Sequence, residues 1–492
     1  MATSTTMSRR RFLQRLAVLG AVGATAAACA PTAPPAAPTA PTAAPKPAEP
    51  TKAAAAPAQP TTAPAAKVEV KGNLQVVQKQ DFFPAMNDWI QAEVKAFCKE
   101  KNWPVEVSYE AGYTGGTPFI EKLAAAASAG TPADLLMHTD ALVDLVRLKV
   151  VDPVTDIVNE VAAKWGNPSA RQKFDFVKDS QWYYVPYFQR SDGGWFQRPA
   201  FKDKGIDIQK IRSYKDLWEA CLTISDPGKQ LYGWGVTINR CGDGDWFRNR
   251  VMHGWGAYVQ DESGQYVTIN TPQMVEAMTV MTDLYLKDKW KPMLPPGVLA
   301  WTDTSNNENY LAGKLLYTQN GGTVYGKAIL DKNPIKDITG FHPPAGGPVN
   351  LEFNSLSANY FAMLKGAKNA AAAKELLLHF LLPIESMDAI FSNAPGFALP
   401  AYEKLWAESK YIPTNPVALE QKAVATSPTG NVVAGTFPGP SMNAAMGAAG
   451  SAGIQNDMVA DILRGTPVAE AVKTCHERYV KVFKEFNLPG QK

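Results

Sequence analysis

The chain has 492 residues, too many for one average domain and enough for two or three, and 46% of them are hydrophobic, enough to build real cores. Its formal charge of +3 is set by its start: without Arg9, Arg10, Arg11 and Arg15 the balance is 45 basic to 46 acidic residues, or −1. That excludes a general basic field for nucleic acid. Beyond Cys29 the cysteines are Cys98, Cys221, Cys241 and Cys475, whose spacings fit no zinc pattern and no CxxC. No metal or cofactor is expected, and any disulfide pairing is left open.

Ser8-Arg9-Arg10-Arg11-Phe12-Leu13-Gln14 precedes an apolar run at 16–28, too short for the roughly 20 residues a bilayer span needs. A basic start, a short apolar core and small residues at its end make an export signal. The arginine run resembles the twin-arginine motif, which implies export in a folded state. Ala26-Ala27-Ala28-Cys29 resembles a bacterial lipobox, with Ala26 in the usual leucine position. That implies a lipid on Cys29; ordinary cleavage near Ala28 is the alternative. Residues 30–66 are almost wholly Ala, Pro and Thr, with eleven prolines, and cannot bury a core. In a polyproline II form, at roughly 3.1 Å per residue, they could reach on the order of 100 Å. The expected order is a signal at 1–28 and a tether at 29–67.

From Val68 the periodicity changes. Leu74-Gln75-Val76-Val77 reads as a strand, and Asn87 can cap a helix whose face carries Ile90, Val94 and Phe97. Val105, Val107 and Tyr109 alternate as a second strand. Phe119, Leu123 and Ala127 mark a helix, Leu135-Leu136-Met137 a third strand, and residues 141–149 another helix. Such alternation predicts a parallel sheet, with ligands beyond the carboxyl ends of its strands. The groups there are Asp81, Phe82 and Phe83 after the first strand, and Thr139 and Asp140 after the third. Gly112-Tyr113-Thr114-Gly115-Gly116 has neither phosphate-loop spacing and reads as a flexible loop.

Residues 181–198 organise the rest. Val185 to Phe188 alternate as a strand, Ser191-Asp192-Gly193-Gly194 breaks the run, and Trp195-Phe196 resumes it. Adjacent glycines can turn or flex, so the stretch reads either as a crossing between lobes or as a hairpin. Ser213 and Asp216 form a capping box, and residues 232–236 read as a strand. Cys241-Gly242-Asp243-Gly244-Asp245-Trp246-Phe247-Arg248 reads as a polar loop; it lacks the calcium-loop register. Its tryptophan beside carboxylates suits a sugar, whose C–H groups lie on the ring while its hydroxyls bond the acids. Thr271-Pro272 opens a helix with a core face of Met274, Met278, Met281 and Tyr285. Residues 431–453, rich in Gly, Ala and Met, read as a loop or a close helix contact. The last helix buries Val472, Cys475, Tyr479 and Phe483.

Four blocks, taken in order, resemble the extracellular solute-binding proteins of ABC importers, the group that includes maltose-binding protein. They are residues 122–157, residues 184–235, residues 356–405 and Leu463-Arg464-Gly465-Thr466-Pro467. The resemblance implies an α/β, two-lobed periplasmic-binding-protein fold of type II, with discontinuous lobes joined by a hinge. Lobe 1 is expected at 68–190 and 352–400, and lobe 2 at 191–351 and 401–492. It also implies a monomer on the outer face of the membrane that does no chemistry and delivers a small solute, a sugar above all, to a permease. Arg190 and Asp192 on the crossing would face that solute, as would Asp243, Asp245, Trp246, Trp301, Asn320 and Gly322. An acid stands at the Arg190 position in maltose-binding protein, so plain maltose is not implied. Anionic, peptide and polyamine ligands stay open. The rival class is a secreted glycoside hydrolase using a pair such as Asp192 and Asp245, though no G-x-S-x-G or H-E-x-x-H motif is present.

Overall fold

The computed structural model describes residues 68–111, 117–139, 143–353, 356–426 and 432–492. The signal, the tether, Cys29, the glycine loop at 112–116 and Asp140 lie outside the described residues.

The first βαβ units form as their periodicity predicts. Strands β1 (Leu74–Gln80), β2 (Val105–Ala111) and β3 (Leu135–Thr139) pair in parallel, with β1 in the middle. Helix Pro84–Glu100 connects β1 to β2 and buries Met86, Ile90, Val94 and Phe97. It starts four residues earlier than Asn87 predicts: Phe83 is the N-cap, and proline stands in the first turn, where a missing N–H costs nothing. Asn87 sits inside the helix and turns back on the loop. Its Oδ1 accepts from the Asp81 amide and its Nδ2 donates to the Asp81 carbonyl, both at 2.8 Å.

A short hairpin follows, β4 (Val177–Lys178) with β5 (Gln181–Trp182). Then β6 (Val185–Ser191) leads through Asp192 into β7 (Gly193–Gln197). The chain adds β8 (Tyr317–Asn320), β9 (Thr339–His342), β10 (Leu356–Met363) and β11 (Leu399–Pro400). One sheet has the order β11-β6-β10-β3-β1-β2, and a second has the order β8-β7-β9. Strands β6 and β7 therefore belong to different sheets, and the crossing is Asp192.

The two glycines after Asp192 are not a turn. Both lie in β7, paired with Asn320 and Gln319 of β8. They are glycines because the second sheet packs on them. A Cβ at Gly193 would come within 2.5 Å of the Phe341 ring and 2.7 Å of the His342 carbonyl. One at Gly194 would run into the Tyr317 hydroxyl. Residues 232–236 also differ from expectation. They are extended, with bridges at Leu231 and Tyr232, but form no strand. The Trp234 amide bonds the Met293 carbonyl and the Gly235 amide that of Tyr317.

Each sheet has its own core. Trp195, Trp218, Trp234, Phe247, Met278 and Tyr317 belong to the core of the second lobe. Ile90, Val94, Tyr187, Phe361 and Phe380 belong to the first, and Phe119, Leu123, Tyr184 and Tyr360 to a separate first-lobe cluster. The expected return to lobe 2 at residue 401 comes later: Ala401, Tyr402, Leu405 and Ile412 are still first-lobe core. Helix Pro416–Ala425 then serves both, with Ala418 and Ala425 in the first core and Val417 and Val424 in the second. Its period lets one helix give different faces to two lobes.

The lobes also touch at helix Thr323–Leu330. A Cβ at Gly326 would come within 2.7 Å of both the Phe83 ring and the Pro395 carbonyl. One at Gly322 would strike the Gly396 carbonyl, and Gly322 has a φ of +102° besides. Gly326→Ala is expected to destabilise the protein by about 2 kcal/mol through overpacking. Chemical denaturation measures it, and an unchanged midpoint would show that this seam yields freely.

Candidate ligand-binding cleft

Charged side chains from both lobes gather at Asp192. The residue is 4% exposed, and Ser357 Oγ donates to its Oδ2 at 3.3 Å. The guanidiniums of Arg190, Arg250 and Arg171 lie close enough to draw its pKa down. Burial outweighs them and pushes it up to about 7. Arg190 donates from Nε to Ser357 Oγ at 2.8 Å and lies 5.2 Å over the Phe397 ring. Arg171 is held by Asp175 at 2.7 Å and by the Val433 carbonyl at 2.9 Å.

The second-lobe side comes from helix Gly242–Gly254, where a polar loop was expected. Asp303 makes the helix start: its carboxylate accepts from the Gly242 amide at 3.2 Å and the Asp243 amide at 2.8 Å. An anion at a helix N-terminus is stabilised by the unpaired amides there. Two acids in a first turn were themselves a start signal. Asp243 accepts from Asn306 Nδ2 at 2.7 Å. Burial, then the neighbouring Asp303, pushes its pKa up to about 8. One turn on from Trp246, Arg250 lies 5.7 Å over that half-buried ring and donates to Gln319 Oε1 at 2.8 Å.

The other expected residues fall into two groups. Arg190, Asp192, Asp243 and Trp246 come together around the crossing. Asp245 instead bonds Arg248 at 2.8 Å and Asn456 at 2.6 Å, which occupies one partner of the pair weighed for hydrolysis. Asn320 is turned inward: its Oδ1 accepts from the Gly322 and Thr323 amides, and its Nδ2 donates to Asn307. The Trp301 ring is in the second-lobe core. Gly322 lies in the seam against Gly396. Asp81 is engaged by Asn87 and Phe82, and Phe83, expected to face the ligand, is fully buried against Phe397. Thr139 ends β3, opposite Tyr360. Arg171, Arg250, Asp303, Asn306 and Ser357 were missed. Only Arg250 had a signal, four residues after Trp246, and it needed the helix to be read first.

A surface groove beside Arg198, Tyr325, Lys336 and Val417 shares none of these residues, and its cations are paired with Glu420 and Asp337. Among the described residues the four cysteines are free, no cluster of His, Cys, Asp or Glu could hold a metal, and no helix is long and apolar enough to cross a membrane.

Two raised carboxyls give stability a pH dependence of definite sign. Asp192 and Asp243 hold protons in the folded state that the unfolded chain has already lost, so stability falls as pH rises toward 7 and 8. His253 and His342, pushed down to about 4 by burial, act oppositely below their unfolded pKa of about 6.5. Between about pH 6.5 and 8 the carboxyls act and these histidines do not, and a loss on the order of 2 kcal/mol is expected. Thermal melts should show it, with a smaller loss in Asp243→Asn; a melting temperature that rises over this range would contradict these assignments.

The chain belongs to the bacterial extracellular solute-binding proteins, whose family model matches residues 84–382. Its fold is the two-lobed, mixed α/β fold of periplasmic binding proteins. Maltose-bound T. maritima MalE3 is 18% identical with a TM-score of 0.66, the match covering 82% of this chain and 98% of that one. A sugar transporter protein from Arthrobacter chlorophenolicus A6 with bound laminaribiose is 14% identical with a TM-score of 0.67, over 84% and 99%. An ABC transporter solute-binding protein from Agrobacterium vitis S4 with bound D-mannitol is 17% identical with a TM-score of 0.66, over 85% and 99%. No curated protein matches the chain.

Proposed function

We propose that this protein is the receptor of an ABC importer and captures a sugar or sugar alcohol between its lobes at the Asp192 crossing. The observation that carries this is the mixture of hydrogen-bonding groups there: the carboxyls of Asp192, Asp243 and Asp303 beside the guanidiniums of Arg171, Arg190 and Arg250. A neutral polyol both donates and accepts hydrogen bonds, so it suits carboxylates and guanidiniums together. An anion would use only the donors and a polyamine only the acceptors. The Trp246 ring offers a face for sugar C–H groups. The solved relatives with bound maltose, laminaribiose and mannitol favour the same ligand class. On this reading the protein is a monomer and no enzyme, and it gives its solute to a membrane permease. Its start serves delivery: a twin-arginine signal, a lipid on Cys29 and a long tether. Fatty-acid labelling that persists in Cys29→Ser would remove the anchor.

Isothermal titration against maltose, laminaribiose and D-mannitol tests the ligand class. One of them should saturate a single site with micromolar affinity, about −8 kcal/mol. No heat from any, with saturation by a carboxylate or a polyamine, would overturn it.

A further inference from the structure

Residues 432–443 reach both lobes. On the second lobe, Gln260 Nε2 donates to the Thr436 carbonyl at 2.5 Å and the Pro440 carbonyl at 3.3 Å. Asn443 Nδ2 returns bonds to Gln260 Oε1 at 2.6 Å and the Gly264 carbonyl at 2.9 Å. The next helix, Ala444–Ser451, places Ala445, Met446 and Ala449 in the second-lobe core. On the first lobe the contacts are fewer. Ser441 Oγ donates to the Phe174 carbonyl at 2.5 Å, Arg171 donates to the Val433 carbonyl at 2.9 Å, and Met442 packs on the Phe119–Tyr360 cluster. Phe437 joins the two sides: its ring lies 6.3 Å from Phe174 of the first lobe, and 5.9 and 5.7 Å from His253 and Tyr258 of the second.

We propose that residues 432–443 are a strap that latches the lobes together across the cleft, rooted on the second lobe and released from the first when the cleft opens. The asymmetry of its contacts sets the direction. Its second-lobe bonds are continuous with a helix buried in that core, whereas its first-lobe hold is two hydrogen bonds and the packing of Met442 and the Phe437 ring. The strap also touches the site. The Val433 carbonyl fixes Arg171, one of the guanidiniums beside Asp192, so release of the strap would loosen that group as well. Arg171 is thereby a positioning residue for the strap and a charge partner of the crossing. The inference rests on the reading of this chain as a two-lobed receptor that opens and closes.

Small-angle X-ray scattering on the ligand-free full chain tests it without knowledge of the ligand. Ser441→Ala removes a first-lobe contact and Phe437→Ala the ring that joins the two sides, and both should increase the radius of gyration. Hydrogen exchange of the amides at 432–443 should become about tenfold faster, equal to about 1.4 kcal/mol of lost protection. Exchange in the second-lobe core should stay as in the wild type, which shows that the variants fold. Gln260→Ala cuts the root instead and should speed strap exchange too. Unchanged radius and unchanged strap exchange in Phe437→Ala and Ser441→Ala would overturn the latch. That result is separable from a wild type that binds no sugar, which would overturn the function and leave the latch standing.

Discussion

Gly194→Ala should lower the unfolding free energy by about 3 kcal/mol, the upper end for overpacking a tight core. The added methyl points into the Tyr317 hydroxyl, which is fixed from two other sides. That hydroxyl bonds His342 Nδ1 at 3.2 Å, and the Tyr317 ring stacks on Trp234 at 5.5 Å. Nothing around it can retreat without disturbing the second sheet. Urea denaturation followed by tryptophan fluorescence measures the loss. The contrast is with a flexible hinge. A glycine kept for mobility would tolerate alanine with little loss of stability and a change in ligand affinity instead. A stable Gly194→Ala protein with altered binding would therefore restore the hinge reading of this pair.

Trp246→Ala should weaken sugar binding by roughly 30-fold, about 2 kcal/mol, while costing little stability. The ring is half-buried and belongs to neither lobe's core, so its removal leaves no large internal cavity. It does remove the apolar face beside the acids and the surface over which Arg250 lies. Trp246→Phe keeps a ring and should recover part of the affinity. Titration calorimetry with the saturating sugar separates the three proteins. Equal affinities would place the ligand away from this helix.

Much of the fold could be read because burial follows period. The stripe Ile90, Val94 and Phe97, the cap Ser213 with Asp216, and the methionine face after Thr271-Pro272 all lie where their spacing puts them. The crossing at Asp192 was legible as a break between two apolar runs. Its cause was not: the glycines look like freedom in sequence, and only Phe341 and Tyr317, more than a hundred residues away, make them necessary. The same holds for helix Gly242–Gly254, which its glycines disguised as a loop. Its start depends on Asp303, some 60 residues on. For the site, Asp192, Asp243 and Trp246 carried local signals, whereas Arg171 and Ser357 sit in unremarkable stretches and reach the crossing only through the sheet and the strap. Asn320 shows the reverse: a polar residue at a strand end looks available, yet its amide is consumed in holding the next helix.

The most direct test is scattering from the wild-type protein with and without the sugar that saturates it in calorimetry. Two lobes that shut on a guest at Asp192 predict a smaller radius of gyration in the loaded protein. A sugar that binds at one site and leaves the scattering curve unchanged would contradict that account.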